Sequence, residues 1–184
     1  PVSNGQAVWS PDGKWIAFLK PWKETRNVWV KKTGEPYTAA KLVTAEPKRP
    51  VAGFFWSPDG KQIATFSPVD FSQFDPNTAV PSDISEQSAN PMLVQTIDAA
   101  VGPASARPLL YIDPSERFMQ FLPQSDRFSR SFTIWSPNSR HLVVPFRASV
   151  SQGTTVDYVA ECEASGSIYP RILGEGSLAV WSPR

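Results

Sequence analysis

Two carboxylates recur in one fixed context. Asp12 and Asp59 each stand in the hexapeptide Trp-Ser-Pro-Asp-Gly-Lys, at Trp9 to Lys14 and Trp56 to Lys61. Recurrent acids are raw material for general acid–base chemistry, but these neighbours describe a chain reversal. Ser bonds local backbone, Pro presets φ at about −65°, Asp accepts the bridge region and Gly takes the following position at low steric cost. A third copy, Trp135-Ser136-Pro137-Asn138-Ser139-Arg140, has no acid at that place. His141 is the single histidine and Cys162 the single cysteine, too few for a triad within the chain, a histidine-rich metal site or a thiolate cluster. Asp70, Asp75 and Asp83 lack the D-x-[DN]-x-[DN]-G order of a calcium loop. The sequence contains no G-x-S-x-G elbow, no G-x-x-x-x-G-K-[ST] loop and no H-E-x-x-H. The expectation is a chain without catalysis, metal or cofactor.

What the hexapeptide does instead follows from the elements on either side of it. An apolar run enters each copy: Gln6-Ala7-Val8-Trp9, Gly53-Phe54-Phe55-Trp56, Phe132-Thr133-Ile134-Trp135 and Leu178-Ala179-Val180-Trp181. A second apolar run leaves the first three, at Lys14 to Leu19, Lys61 to Phe66 and Arg140 to Phe146. Two more strands complete each unit: Asn27 to Lys31 and Ala40 to Thr44, Met92 to Asp98 and Arg107 to Ile112, Thr155 to Glu161 and Tyr169 to Leu173. The motif tryptophans are 47, 79 and 46 residues apart, and the long interval holds one unit with extra chain. Four antiparallel strands in about 46 residues match a propeller blade, whose repeat is about 40 to 45 residues. The expected fold is therefore all-β: a partial or open propeller with three blades and the opening strand of a fourth. Blade 1 covers about 6–47, blade 2 about 52–112, blade 3 about 132–174, and the fourth begins at 177–184.

Composition narrows the partners. Eighteen Lys and Arg against 17 Asp and Glu give a net charge of +1, no reason to expect nucleic acid or an anionic membrane. No apolar run approaches the roughly 18 residues that span a bilayer, and the first residues lack the regions of a signal peptide. Trp181-Ser182-Pro183-Arg184 stops where the first two copies continue into Asp-Gly, which points to a segment from inside a longer protein.

The apolar strand, the Trp-Ser-Pro-Asp-Gly-Lys corner and the second apolar strand together resemble the WD40-like β-propeller repeat of the TolB type, over most of 6–66 and 131–184. The same repeat is found in the propellers of prolyl-oligopeptidase-like peptidases. The resemblance makes Trp9, Pro11, Asp12, Gly13, Trp56, Pro58, Asp59, Gly60, Trp135, Pro137, Trp181 and Pro183 structural, and it implies a periplasmic or cell-surface place.

Binding is then expected on the segments that depart from the repeat. One insertion, Val69 to Pro91, carries Phe71 and Phe74; a second, Asp113 to Ser131, carries Phe118, Phe121 and Arg127, with a short helix at Ser115 to Leu122. Trp22, among Lys20, Lys23, Glu24 and Arg26, is placed in a loop between strands as a partner anchor. These six residues are the candidate contacts with a protein partner or larger assembly; the sequence carries no signature of a small-molecule ligand. The alternative is an accessory propeller of a prolyl-oligopeptidase-like serine hydrolase, gating an active site that lies outside this chain.

Overall fold

The computed structural model describes residues 7–70, 90–128, 132–151, 153–167 and 169–182. Its strands form three separate antiparallel sheets in chain order, an open propeller arc. The first sheet runs β1 (Ala7–Trp9), β2 (Trp15–Trp22), β3 (Thr25–Lys32) and β4 (Lys41–Leu42). The second runs β5 (Gly53–Trp56), β6 (Gln62–Pro68), β7 (Met92–Asp98) and β8 (Arg107–Ile112). In the third, β9 (His141–Ser151), β10 (Thr154–Glu163) and β11 (Arg171–Glu175) are joined by a single bridge from Trp135 to Leu142 where a full first strand was expected. Thr133, just before it, bridges Trp181, whose N–H donates to the Thr133 carbonyl at 2.8 Å.

Alternation along the middle blade explains how the sheets stack. Trp56 pairs with Ile63 and Ile63 with Ile97, all on one face. That face buries against Val8, Ala17, Leu19, Val28 and Val30 of the first blade. The opposite face presents Phe55, Phe66, Val94 and Leu110, which close with Ile134, Trp135, Leu142 and Cys162 of the third. Two cores thus lie between three blades, as the period-2 pattern requires of a sheet buried on both sides. At each boundary one indole crosses over: Trp56 Nε1 donates to the Val8 carbonyl and Trp135 Nε1 to the Phe55 carbonyl, both at 3.1 Å.

The corner between the first two strands of each blade is the same object three times. Ser10 Oγ donates to Asp12 Oδ1 at 2.7 Å and accepts the Trp15 N–H at 2.9 Å, while Asp12 Oδ1 accepts the Lys14 N–H at 3.1 Å. Ser57, Asp59, Lys61 and Gln62 repeat these bonds, as do Ser136, Asn138, Arg140 and His141. Asn138 therefore uses its amide oxygen where the others use a carboxylate. The left-handed position is held by Gly13 and Gly60 at φ of 71° and 70°, and in the third copy by Ser139 at 60°. Its hydroxyl accepts the Asp59 N–H at 3.0 Å, an inter-blade contact glycine cannot make.

Local chemistry moves three boundaries from their expected places. Trp22 lies at the end of β2, paired with Thr25, because a two-residue turn with Lys23 at φ 53° lets both strands run to the hairpin tip. β4 is cut to two residues because Thr44 Oγ1 occupies the Val28 N–H and the Val28 carbonyl accepts from both Val43 and Thr44. β11 starts at Arg171 rather than Tyr169, in register with Glu161, to which Arg171 Nη2 bonds at 2.7 Å.

Two outcomes follow. Trp135→Phe, which removes the indole's bond to the Phe55 carbonyl, should cost about 0.5–1.5 kcal/mol, and Trp135→Ala about 3–5 kcal/mol, in denaturant unfolding. Hydrogen bonds from the Ser10 hydroxyl and the Lys14 N–H hold the Asp12 carboxyl below its usual 3.8. Its stabilising effect is present above that value and lost as pH falls through the lowered folded one. Asp12→Asn should keep the corner, as Asn138 does, so the wild type loses melting temperature relative to the variant as pH falls below about 4.

Candidate functional site

The opening residues of the first three repeats face one open depression of about 970 Å³. Val8 and Trp9 of β1, Phe54, Phe55 and Trp56 of β5, and Thr133 and Trp135 form its wall, with the corner residues Pro11, Gly13, Pro58 and Pro137 at its edge. Asp126, Arg127 and Phe132 complete it from the segment that joins blades 2 and 3.

That segment is placed by its own apolar residues. α1 (Glu116–Phe121) starts at Ser115, whose hydroxyl accepts the Phe118 N–H at 3.2 Å and donates to the Ser177 carbonyl. Phe118 is fully buried edge-on to Phe66, ring centres 5.2 Å apart, and Phe121 stacks on Phe55 at 6.1 Å. The chain then passes through a tight 3-10 turn, Leu122–Gln124, into α2 (Ser125–Phe128), which contacts β5. Gly53 allows the approach: a Cβ there would meet the Leu122 side chain and carbonyl at 3.1 Å. α2 thereby sets Arg127 at the mouth of the depression, exposed and without an ion-pair partner among the described residues.

The six contact candidates do not gather at one place. Arg127 reaches the depression, and Phe121 stands behind it, half-buried between Phe55 and Phe132. Phe118 belongs wholly to the core and has no surface for a partner. Trp22 is at the far tip of the first blade, half-buried, with the Lys23 ammonium 4.7 Å from its ring centre. Phe71 and Phe74 lie outside the described residues, as does Pro183. Phe132, Phe55 and Asp126 were not singled out in the sequence. Membership of the opening strand and proximity to Arg127 in the insertion are the signals that mark them.

The groups able to do bond chemistry are scattered. His141 pairs with Glu163 across β9 and β10, away from the depression. Among the described residues no three His, Cys, Asp or Glu side chains gather as metal ligands, and no helix is long and apolar enough to cross a membrane. Burial, reinforced by neighbouring Glu161, pushes the Cys162 thiol up to about 12. Because the thiolate is the reacting form, a disulfide-exchange reagent at about pH 8 should label Cys162 only after denaturation. Prompt labelling of the folded protein would show the site to be open.

No family model and no curated protein matches the sequence. Similarity to solved structures is extensive in shape and low in sequence. Pyrococcus horikoshii acylaminoacyl peptidase is 15% identical, with a TM-score of 0.55 over 96% of this chain and 26% of that one. An acylaminoacyl peptidase in complex with Z-Gly-Gly-Phe-chloromethyl ketone is 16% identical, with a TM-score of 0.56 and the same coverage. The β-propeller domain of the Trilobed protease from Pyrococcus furiosus is 14% identical, with a TM-score of 0.52 over 94% of this chain and 44% of that one. The chain thus spans about a quarter of the length of the two peptidases and under half of the protease propeller. What it shares with them is the β-propeller fold.

Proposed function

We propose that this chain is a non-catalytic section of a TolB-like propeller that holds polypeptide against its opening strands. The observation that carries the reading is the depression, where the exposed rings of Trp9 and Phe132 share one hollow with the exposed guanidinium of Arg127. Aromatic surface gives non-directional contact area, and a guanidinium pairs with a carboxylate through two parallel hydrogen bonds. Together they suit an extended peptide carrying an acidic side chain or a free C-terminus. The arrangement supports a binding role more than a chemical one, since the wall contains no nucleophile paired with a base.

The test is anisotropy of fluorescein-labelled octapeptides of acidic, neutral and basic composition. Saturable binding of the acidic peptide, weakened at least tenfold by Arg127→Glu, is expected; at about 1.4 kcal/mol per tenfold, that is the size of one charge-assisted hydrogen bond. Absence of saturable binding by any peptide up to about 1 mM would sink the reading.

The likeness to peptidase propellers favours a second reading. Here the same wall lines part of the passage to a serine active site on another domain of the same protein. A G-x-S-x-G elbow with its Asp and His on the polypeptide that carries these blades would select this reading.

A further inference from the structure

The opening residues of a blade bond its second strand with alternate backbone groups only. Ser57 N–H donates to the Gln62 carbonyl and Ser136 N–H to the His141 carbonyl, both at 2.8 Å, and the Ile134 carbonyl accepts the Val143 N–H at 2.9 Å. In an antiparallel ladder these bonds set the phase. Phe55, opposite Ala64, and Ile134 direct their N–H and C=O groups at the second strand, so Phe54, Trp56, Thr133 and Trp135 direct theirs the other way. All four of these residues line the depression.

On the third blade two of these groups are satisfied from within the chain. The Thr133 carbonyl accepts the Trp181 N–H at 2.8 Å in an antiparallel bridge, and the Thr133 hydroxyl accepts the Trp135 N–H at 3.1 Å. Phe54 and Trp56 hold the equivalent positions on the second blade. Phe54 has no hydroxyl to offer, and neither the Phe54 carbonyl nor the Trp56 N–H has a hydrogen-bond partner among the described residues. β5 belongs to the middle blade, whose two faces are both covered by neighbours. Its inner edge is the side of that strand still to be paired, and such an edge is a template for another strand.

We propose that polypeptide in the depression binds as an added antiparallel strand on the edge formed by Phe54 and Trp56, meeting Phe54 as Trp181 meets Thr133. This rests on the reading of the depression as a peptide site and specifies how the peptide is held. The occupant is extended because the open groups are backbone amides in strand phase, and a helix has spent its own amides beyond the first turn. Main-chain bonds then supply affinity that is blind to ligand sequence, and the acidic group at Arg127 supplies the selection. Backbone groups alternate sides along a strand, so the ligand presents every second amide to β5 and the intervening ones to the open hollow.

The test is N-methylation of the tightest-binding labelled octapeptide, one amide at a time, read by anisotropy. An N-methyl group removes a donor and adds bulk at the edge. Methylation should weaken binding at least about tenfold at alternate residues of the bound stretch and less than about threefold at those between. In the complex, amide hydrogen exchange should slow at Phe54 and Trp56 and stay unchanged at Phe55, whose N–H is already in the ladder. Saturable binding that Arg127→Glu weakens, but with no period-two sensitivity to methylation or no slowing at Trp56, would overturn the added strand and leave the depression a peptide site. Absence of saturable binding by any octapeptide would overturn both.

Discussion

A sheet that must be buried on both faces cannot stand alone, and that constraint organises this molecule. The middle blade shows it most clearly. Its β5 carries Phe54 and Trp56 toward one core and Phe55 toward the other. Apolar burial supplies the drive but no direction, since it scales with area and tolerates sliding. The indole bonds from Trp56 and Trp135 add the direction, because each has a single acceptor at 3.1 Å and is enclosed where an unmade bond is costly. Registry between blades is therefore set by two hydrogen bonds embedded in two cores.

The hairpin corners serve the same registry from the edge. Each corner closes on its own Ser and its Asp or Asn, so it is rigid before it meets a neighbour. Corners of adjacent blades then touch: a Cβ on Gly60 would lie 3.0 Å from the Asp12 carboxylate, and Ser139 Oγ takes the Asp59 N–H. The third copy accepts a non-glycine residue at positive φ, a conformation that costs an L-residue of order 1 kcal/mol, because the hydroxyl returns a bond across the boundary. Asn at position 138 in place of Asp is neutral for geometry, since Oδ1 makes the corner bonds in all three copies and Asp12 adds only an exposed Oδ2 ion pair to Lys14. The recurrent acid that first suggests chemistry is an acceptor for backbone.

Much of this was legible in residue order. Period-2 runs fixed the limits of β7 and β8, and Asp-Pro-Ser before an apolar cluster located α1 with its Ser115 cap. Strands are shorter than the pattern where other groups intervene: the Thr44 side chain truncates β4, and at the opening of the third blade Thr133 bridges Trp181. Trp22 went astray for a related reason, as a cluster of charges and proline reads as loop while a two-residue turn keeps it in a strand. The candidate site was half legible. An insertion that breaks the repeat marks where individuality lies, and Arg127 came from that argument. Which of Phe118 and Phe121 would be consumed by the core depends on how far the helix sinks, and Gly53, sixty-odd residues earlier, decides that by admitting Leu122.

The depression and the blade boundaries compete for the same side chains, and their separation is informative. Trp135 and Trp56 both line the depression, yet each is immobilised by its indole bond and cannot reorient toward a ligand. Buried as they are, they make a fixed floor beneath the exposed rings of Trp9 and Phe132, and no ordering of the floor is spent on binding above it. Phe132 meets Phe121 edge to face, and Phe121 in turn stacks on Phe55. Stacking of that kind is worth about 0.5–1.5 kcal/mol per pair, far below the strength of a blade core. The part of the site that can vary in sequence and in position is thus the part whose displacement leaves the propeller intact.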